Sequence, residues 1–370
     1  MVTLLFLLLS SIIPFTFSTS LPPLLPVDFP DPSIIYSPQN RTWYAFSTST
    51  RTKNIQVASS PSSPWGPWTL LESVDPLPDP GGWTAGPFSQ TWAPSIVSIP
   101  HATANDTKYV LYYAAQLPSN SSAFHCVGAA TSSTILGPYV PLPSPLACPL
   151  SRGGAIDPSG FLDPATGKRY LLYKVDGNSL GGGGSCRNTV PPVRNTPIML
   201  QEVRREDGTT LVGEPVQVLD RDEGDGPLVE APDLWYDAEA QSYVLFFSNH
   251  CWSEAGYSVN YAVSDRGIAG GYVKLNGTAG TGQGVGGKKG ERALIRTMGR
   301  DGLNLTAPGG AASWYDEETG ERGIVFHADC EGGFRCMFGA GVRFKDGRLE
   351  VFSKNGMGDD DDVVDDDAKV

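Results

Sequence analysis

The chain has 370 residues, of which 40% are hydrophobic and 10% aromatic, and it carries a formal net charge of −13. This aromatic content excludes an intrinsically disordered chain, and the lack of a basic stripe argues against nucleic-acid binding. The 43 glycines and 31 prolines predict many short strands joined by turns. Because propellers and barrels often reach this length as one unit, a single all-β domain suits the chain.

The first twenty residues form an apolar stretch that ends in small residues. This pattern predicts a secretory signal peptide over residues 1–20, although the usual basic segment before the apolar run is missing. Ser10, Ser11 and Pro14 interrupt the run, which disfavours the alternative of a membrane-spanning anchor. We therefore expect a secreted, extracellular protein that has no membrane partner.

Six cysteines and five glycosylation sequons agree with export. An even number of cysteines without metal-binding spacing is expected to pair as disulfides in an oxidising compartment. Cys330 and Cys336 are close enough in sequence to bridge one hairpin. The sequons predict a glycosylated surface and lie at Asn40, Asn105, Asn120, Asn276 and Asn304.

Five segments share a pattern in which a turn with proline leads into an apolar run and then an aromatic-rich run. The first runs are Asp31-PSII, Ala93-PSIV, Asp157-PSGF, Ala231-PDLW and Ala307-PGGAASW. The second runs are Trp43-YAFSTS, Tyr109-VLYYAA, Tyr170-LLYKVD, Tyr243-VLFFSN and Gly323-IVFHAD. Stacking five such four-stranded units radially gives a five-bladed β-propeller, an all-β fold, whereas a β-sandwich gives no reason for five copies.

The propeller is expected to cover residues 21–355, with the first strand of each blade on the central channel. After it, residues 356–370 contain two runs of aspartate, and self-repulsion predicts a disordered acidic tail there.

The repeat places acidic residues in register. Asp31 and Asp157 precede the proline in blades one and three, and Glu230 stands one residue earlier in blade four, where blade two has Trp92. We therefore expect three carboxyl groups to meet at one mouth of the channel. An Asp-Pro pair alone is an ordinary turn, so the common register, and not the dipeptide, carries the prediction.

Converging carboxyl groups are what glycoside hydrolysis needs, because one must donate a proton and another must be ionised. The motifs Phe29-PDPSII, Thr91-WAPSIV, Gly154-AIDPSGFLD and Val229-EAPDLWY occur in this order, and in this the sequence resembles glycoside hydrolase family 43. The resemblance covers nearly the whole mature chain. It implies a five-bladed propeller and hydrolysis with inversion.

The resemblance also implies roles for individual residues. Asp31 would be the general base, Glu230 the general acid, and Asp157 the residue that orients Glu230 and modulates its pKa. Trp92 would form an apolar wall for the sugar, and Phe29 is assigned to substrate binding with it.

His327 matches the family's histidine near the propeller axis. In relatives that cleave arabinan this histidine helps to hold a water-coordinated ion, often calcium, so a structural calcium is one expectation and a metal-free, hydrogen-bonded histidine is the other. No cofactor is otherwise required. The stretch Thr306-APGGAAS departs from the Gly-Pro-Gly-His-Asn of many relatives, which puts the usual contacts of blade five in doubt.

Two long loops, 176–196 and 248–257, are interpreted as insertions that shape the substrate site. Each contains one cysteine, which suggests a Cys186–Cys251 bridge. Asn178, Asn249 and Trp252 are candidate sugar contacts, although each could equally be an ordinary solvated loop residue.

The leading hypothesis is a monomeric, secreted, inverting hydrolase of α-L-arabinofuranosyl linkages in arabinan or arabinoxylan. A β-D-xylosidase of the same family is the nearest alternative. A hydrolase of fructosides is disfavoured because Val27-DFPDPS lacks the expected opening motif. A non-catalytic carbohydrate-binding propeller would be expected to lack one of the three acids.

Overall fold

The computed structural model describes residues 21–88, 90–99, 108–118, 124–275, 293–297, 305–345 and 347–354. Blade one contains β1 (Ser33–Ser37), β2 (Thr42–Ser47), β3 (Gln56–Ser60) and β4 (Thr69–Leu70). Blade two contains β5 (Trp92–Ile99), β6 (Lys108–Gln116), β7 (His125–Ser132) and β8 (Val140–Pro141). Blade three contains β9 (Ala155–Leu162), β10 (Arg169–Val175), β11 (Ile198–Val203) and β12 (Leu211–Leu219).

Blade four contains β13 (Val229–Asp237), β14 (Ser242–Asn249), β15 (Ser258–Ser264), β16 (Val273–Lys274) and β17 (Ile295–Arg296). Blade five contains β18 (Gly309–Tyr315), β19 (Arg322–Cys330), β20 (Phe334–Lys345) and β21 (Arg348–Phe352). Short 3-10 helices lie at Leu150–Arg152, Gly177–Leu180, Ser185–Arg187, Glu223–Asp225 and Glu331–Gly333. None of the helices in the described ranges has the length and apolar character needed to span a bilayer.

Each blade is an antiparallel meander whose strands pair in chain order, with β17 added beside β15. The inner strands β1, β5, β9, β13 and β18 contact one another in turn, and β18 returns to β1. This closed ring confirms the five-bladed propeller, with the first strand of every blade lining the axis.

The core lies between the blades. The second strands carry near-continuous apolar runs, as in YLLY of β10 and YVLFF of β14, and they are almost wholly buried. Both faces of such a strand pack against neighbouring blades, which explains why its sequence does not alternate. Leu172 of blade three and Leu245 of blade four meet in one of these interfaces.

The segment before β1 closes the ring against blade five. The backbone N–H groups of Leu24 and Leu25 donate to the carbonyl oxygen of Met337, and that of Phe29 donates to Arg335. The Phe29 side chain is fully buried in the core with Trp43 and Met337. The sequence analysis assigned Phe29 to the substrate site, but the structure places it in the core.

Three disulfides join Cys126–Cys148, Cys186–Cys251 and Cys330–Cys336. The two pairings expected from the sequence are therefore confirmed. Asn40 is exposed in the turn between β1 and β2, whereas Asn105, Asn120, Asn276 and Asn304 lie outside the described residues. The predicted signal peptide (1–20) and acidic tail (356–370) lie outside them as well.

Candidate active site

A single backbone feature, repeated in all five blades, presents the acidic residues. The residue before each proline has a positive φ: 52° at Asp31, 44° at Ala93, 55° at Asp157, 51° at Ala231 and 48° at Ala307. These left-handed conformations are uncommon for residues with a Cβ. Proline cannot donate to the strand ladder, and the pairing register shifts at this point in blades two to four. In blade five the shift follows the proline, between Gly309 and Ala312. The resulting bulge directs the residues around it into the mouth of the channel.

That mouth is a cavity of about 690 Å³, within the size range of small-molecule sites. The predicted residues Asp31, Asp157, Glu230 and Trp92 all line it. Asn178 and Trp252 also line it, from the two long loops. The structure therefore brings together six of the nine predicted site residues.

The other three predicted residues, Phe29, Asn249 and His327, do not line the cavity. Asn249 is buried, where it bonds the carboxyl of Asp225 and the hydroxyl of Ser258, and it does not line the cavity. His327 is fully buried behind Asp31. The sequence suggested Asn249 because it begins a loop that was interpreted as shaping the substrate site, but its amide bonds Asp225 and Ser258 instead.

Asp31 is held by groups from three strands or their ends. Its Oδ2 accepts a hydrogen bond from the hydroxyl of Thr48 at 2.8 Å, and its Oδ1 lies 3.8 Å from Arg335 Nη1. Burial alone would raise the pKa of Asp31, but Arg335, His327 and Thr48 together hold it below its usual range. Asp31 is therefore ionised over the ordinary working range of pH, as a base must be.

Glu230 is buried and has two side-chain partners. The hydroxyl of Tyr257 donates to its Oε1 at 2.9 Å, and Lys174 Nζ lies 3.0 Å from its Oε2. Lys174 also pairs with Asp176 at 3.0 Å. Burial alone would lower the pKa of Lys174, but Asp176, Glu230 and Asp157 raise it above its usual range, so it stays charged.

Asp157 lies beside this group. Its Oδ2 accepts the backbone N–H of Ala231 at 2.9 Å, which links it to the residue that follows Glu230. Burial and the negative charge of Glu230 raise the pKa of Asp157 well above its usual range, despite the opposing charge of Lys174. Asp157 therefore retains its proton at pH values where Asp31 has lost its own.

Trp92 forms one wall of the cavity and stacks on His125, with ring centroids 3.7 Å apart. Burial lowers the pKa of His125 to about 4, so its ring is neutral near neutral pH and packs as a flat, uncharged support. This arrangement holds the indole plane towards the cavity, as an apolar wall requires.

His327 accepts the backbone N–H of Asp31 at its Nδ1, over 3.1 Å. Burial lowers the pKa of His327 to about 4, and a neutral imidazole that accepts at Nδ1 carries its proton on Nε2. That protonated nitrogen does not fit a direct calcium ligand, and calcium prefers oxygen. Among the described residues, no group of three or more His, Cys, Asp or Glu side chains is arranged to hold a metal.

The cavity residues that the sequence analysis did not assign to the site include Lys174, Tyr257, Arg335 and His125. Only Lys174 leaves a clear signal, since it interrupts an apolar run, YLLYKV, that is predicted to be buried. A lysine in such a place needs carboxylate partners. The other three reach the mouth through loop and ring geometry that periodicity does not encode.

A five-bladed propeller that collects an ionised carboxylate, a protonated carboxyl group beside a buried glutamate, and an aromatic wall at one mouth has the machinery of a glycoside hydrolase. The sequence matches the profile of Glycosyl hydrolases family 43 over residues 21–335. The chain therefore belongs to this family and is a glycosidase. No protein of curated function matches the chain by sequence.

Solved structures share the fold at low sequence identity. A thermostable family-43 glycoside hydrolase superposes with a TM-score of 0.66 at 22% identity, covering 90% of this chain and 96% of the other. An endo-1,4-beta-xylanase from Bacteroides thetaiotaomicron gives 0.62 at 20%, with coverages of 90% and 97%. An endo-arabinase from the same organism gives 0.61 at 15%, with 89% and 99%.

Proposed function

We propose that the protein is an inverting glycosidase that hydrolyses α-L-arabinofuranosyl linkages of arabinan or arabinoxylan. Asp31 accepts a proton from a water molecule as the water oxygen attacks the anomeric carbon. Glu230 donates a proton to the glycosidic oxygen as the carbon–oxygen bond breaks. The products are a free sugar of inverted anomeric configuration and a shortened glycan.

One observation carries this proposal: the pKa values of Asp31 and Asp157 are shifted in opposite directions. Arg335, His327 and Thr48 outweigh burial and lower the pKa of Asp31, while burial and Glu230 raise that of Asp157. Titratable groups with pKa values pushed apart are the mark of an acid and a base that act together. A carbohydrate-binding propeller without catalysis would have no need of this separation.

Asp157 acts on Glu230 in two ways in this proposal. Its negative charge, when the proton lies on Glu230, favours the protonated acid. Its bond to the N–H of Ala231 fixes the backbone next to Glu230. Trp92, backed by His125, provides the apolar wall against which the sugar packs.

The choice of arabinofuranosyl over xylosyl linkages rests on the histidine near the propeller axis, His327, and on the likeness of the sequence motifs to those of relatives that cleave arabinan. An endo-arabinase is also among the similar structures. The similar endo-1,4-beta-xylanase keeps the β-D-xylosyl alternative as an outcome of the test. The two substrates differ in ring size, a furanose against a pyranose, so parallel assays on the two substrates compare the two possibilities.

The test compares hydrolysis of aryl α-L-arabinofuranoside, aryl β-D-xyloside and linear arabinan. Activity on the first or third supports the proposal, and activity on the xyloside alone supports the alternative. NMR of the first-formed anomer decides between inversion and retention. Asp31→Asn and Glu230→Gln are each expected to lower kcat at least a thousandfold while the circular dichroism spectrum is unchanged, roughly as for other groups that act as a unit.

We also infer that the protein is secreted and acts as a monomer. The three disulfides suit an oxidising compartment, and Asn40 is exposed for glycosylation. Expression in a eukaryotic secretory host, followed by mass spectrometry of the medium and gel filtration, tests the export, the glycan and the oligomeric state.

A further inference from the structure

Arg335 reaches the cavity from blade five, near the start of β20. Its Nη1 lies 3.8 Å from Asp31 Oδ1. Its guanidinium carbon lies 4.9 Å from the ring centroid of Trp252, within the range of a cation–π contact. The guanidinium therefore lies between the indole of a blade-four loop and the carboxylate of blade one.

The backbone of Arg335 is fixed to the segment that leads into Asp31. Its N–H donates to Asp28 Oδ1 at 3.0 Å, and its carbonyl accepts the N–H of Phe29 at 2.9 Å. These are the same contacts that close the propeller ring. Since they lie two and three residues before Asp31, the separation of Arg335 from the carboxylate is set by ring closure and not by a flexible loop.

The other side of the guanidinium is fixed by the loop that carries Trp252. The preceding residue, Cys251, is bridged to Cys186 in the blade-three loop. The indole is half exposed, so it is not held by the core. Its position depends on the bridged loops, and the guanidinium lies over its ring, a contact for which arginine is better suited than lysine.

The charges that face Asp31 explain why this contact matters. Asp31 interacts electrostatically with His327, Arg335, Asp157 and Tyr257. The His327 ring is neutral above about pH 4, the Tyr257 phenol is neutral, and a carboxyl group such as Asp157 never carries a positive charge. Among the described groups that face Asp31, Arg335 is therefore the one permanent positive charge.

We propose that Arg335 is a positioning residue for Asp31, whose guanidinium, aligned by Trp252, keeps the carboxylate of the base ionised and turned towards the cavity. The inference rests on the proposed role of Asp31 as base. It adds that the ionisation of the base depends on propeller closure and on the bridged loops, because both fix the position of Arg335.

The experiment measures kcat/KM against pH for the full-length protein, Arg335→Met and Arg187→Met. The acidic limb of this profile reports the pKa of the base in the free enzyme. Without the adjacent cation, the limb of Arg335→Met is expected to move to higher pH by about one unit. Arg187 also lines the cavity but is not among the charges that act on Asp31, so its variant should leave the limb in place.

Three outcomes separate the claims. If Asp31→Asn retains activity, the proposed function fails, and the role of Arg335 fails with it. If Asp31→Asn is inactive but the limb of Arg335→Met does not move, or moves no more than that of Arg187→Met, only the present inference is overturned. Should Arg335→Met fail to fold, Trp252→Ala tests the same contact: a shift in the same direction supports the inference, and an unmoved limb overturns it.

Discussion

Tyr257 donates a hydrogen bond from its hydroxyl to Glu230 Oε1 at 2.9 Å. The same ring stacks on His327, with centroids 5.8 Å apart and planes inclined by 15°. His327 in turn accepts the backbone N–H of Asp31. One buried tyrosine therefore lies between the proposed acid and the backbone of the proposed base, and it fixes their relative placement.

Tyr257→Phe keeps the ring and removes only the hydroxyl donor. We expect kcat to fall by about tenfold, since a hydrogen bond to a charged group contributes about 1.5–3 kcal/mol. The alkaline limb of kcat/KM should move to higher pH, because ionised Glu230 loses a partner. Kinetics across the pH range measure both effects, and a changed KM with an unmoved limb would contradict the prediction.

Tyr261→Phe is the matched control for this variant. Tyr261 is buried on β15, the strand that begins one residue after Tyr257. Its hydroxyl accepts the N–H of Leu349 in blade five, away from the cavity. Its loss should lower stability slightly and leave the pH profile of kcat/KM unchanged.

Gly309→Ala tests how closely blade five approaches this tyrosine. A Cβ at Gly309 would lie 1.8 Å from Tyr257 Cε1, so the ring or the inner strand must move. We expect a loss of about 1–3 kcal/mol in the free energy of unfolding, as for overpacked cores, together with a fall in kcat as Tyr257 leaves Glu230. Urea unfolding and kinetics measure the two effects.

Gly271→Ala provides the comparison, because a Cβ there would meet nothing within 4 Å. It should leave both stability and kcat near their original values. An equal effect of the two substitutions would mean that the contact with Tyr257 is not the cause.

The sequence was sufficient to predict the fold and the meeting of Asp31, Asp157 and Glu230 at one cavity, because both follow from one recurring constraint. A left-handed residue before proline starts every inner strand, and that pair of residues is visible in the sequence as X-Pro at a fixed place in each repeat. Asp31 and Asp157 occupy this position, so their meeting at the axis follows once five blades close into a ring.

Contacts that depend on side-chain direction could not be predicted in this way. Phe29 stands two residues before Asp31, and a regular extended segment would place both side chains on the same side. The left-handed φ of Asp31 breaks that pattern, and Phe29 packs in the core with Met337. Arg335 and Tyr257 reach the mouth from blades five and four only after ring closure. Sequence distance carries no information about which of them touches Asp31 and which touches Glu230.

Replacement of the Cys186–Cys251 pair by serine is expected to raise KM more than it lowers kcat. Both half-cystines line the cavity, and the bridge spans 65 residues between the loops that carry Asn178 and Trp252. Freed loops would cost binding energy to reorder. The free energy of unfolding should also fall, by about 2–4 kcal/mol.

The Cys126–Cys148 pair is the control for the loop bridge. It spans 22 residues in blade two, and neither sulfur lines the cavity. Its double serine variant should lose stability without a change in KM. A similar rise in KM for both variants would indicate a general loosening of the propeller and contradict a specific role of the loop bridge.

Asp233 is a further carboxyl group on an inner strand, β13, and the proposed chemistry does not use it. Its oxygens accept hydrogen bonds from the hydroxyl of Ser159 at 3.0 Å and from the N–H of Ser313 at 2.9 Å. These bonds join the inner strands of blades three, four and five. Burial nevertheless raises the pKa of Asp233 to about 6.

The sign of the resulting pH dependence follows from proton binding. The folded protein binds this proton more tightly than the unfolded chain, in which an aspartate has a pKa of about 3.9. The contribution of Asp233 to stability is therefore complete below about pH 4 and is lost as the pH rises through the folded value of about 6. Ionised Asp233 makes folding less favourable than protonated Asp233 does.

Asp233→Asn should abolish this pH dependence, because an amide can keep the bonds to Ser159 and Ser313 without acquiring a charge. Urea unfolding of both proteins at pH 4.5 and pH 7.5 measures the difference in their free energies of unfolding. We expect that difference to shift in favour of the asparagine variant by up to about 2 kcal/mol between the two pH values. An equal difference at both would show that Asp233 is ionised in the folded protein at pH 4.5 as well, and that the serine bonds outweigh its burial.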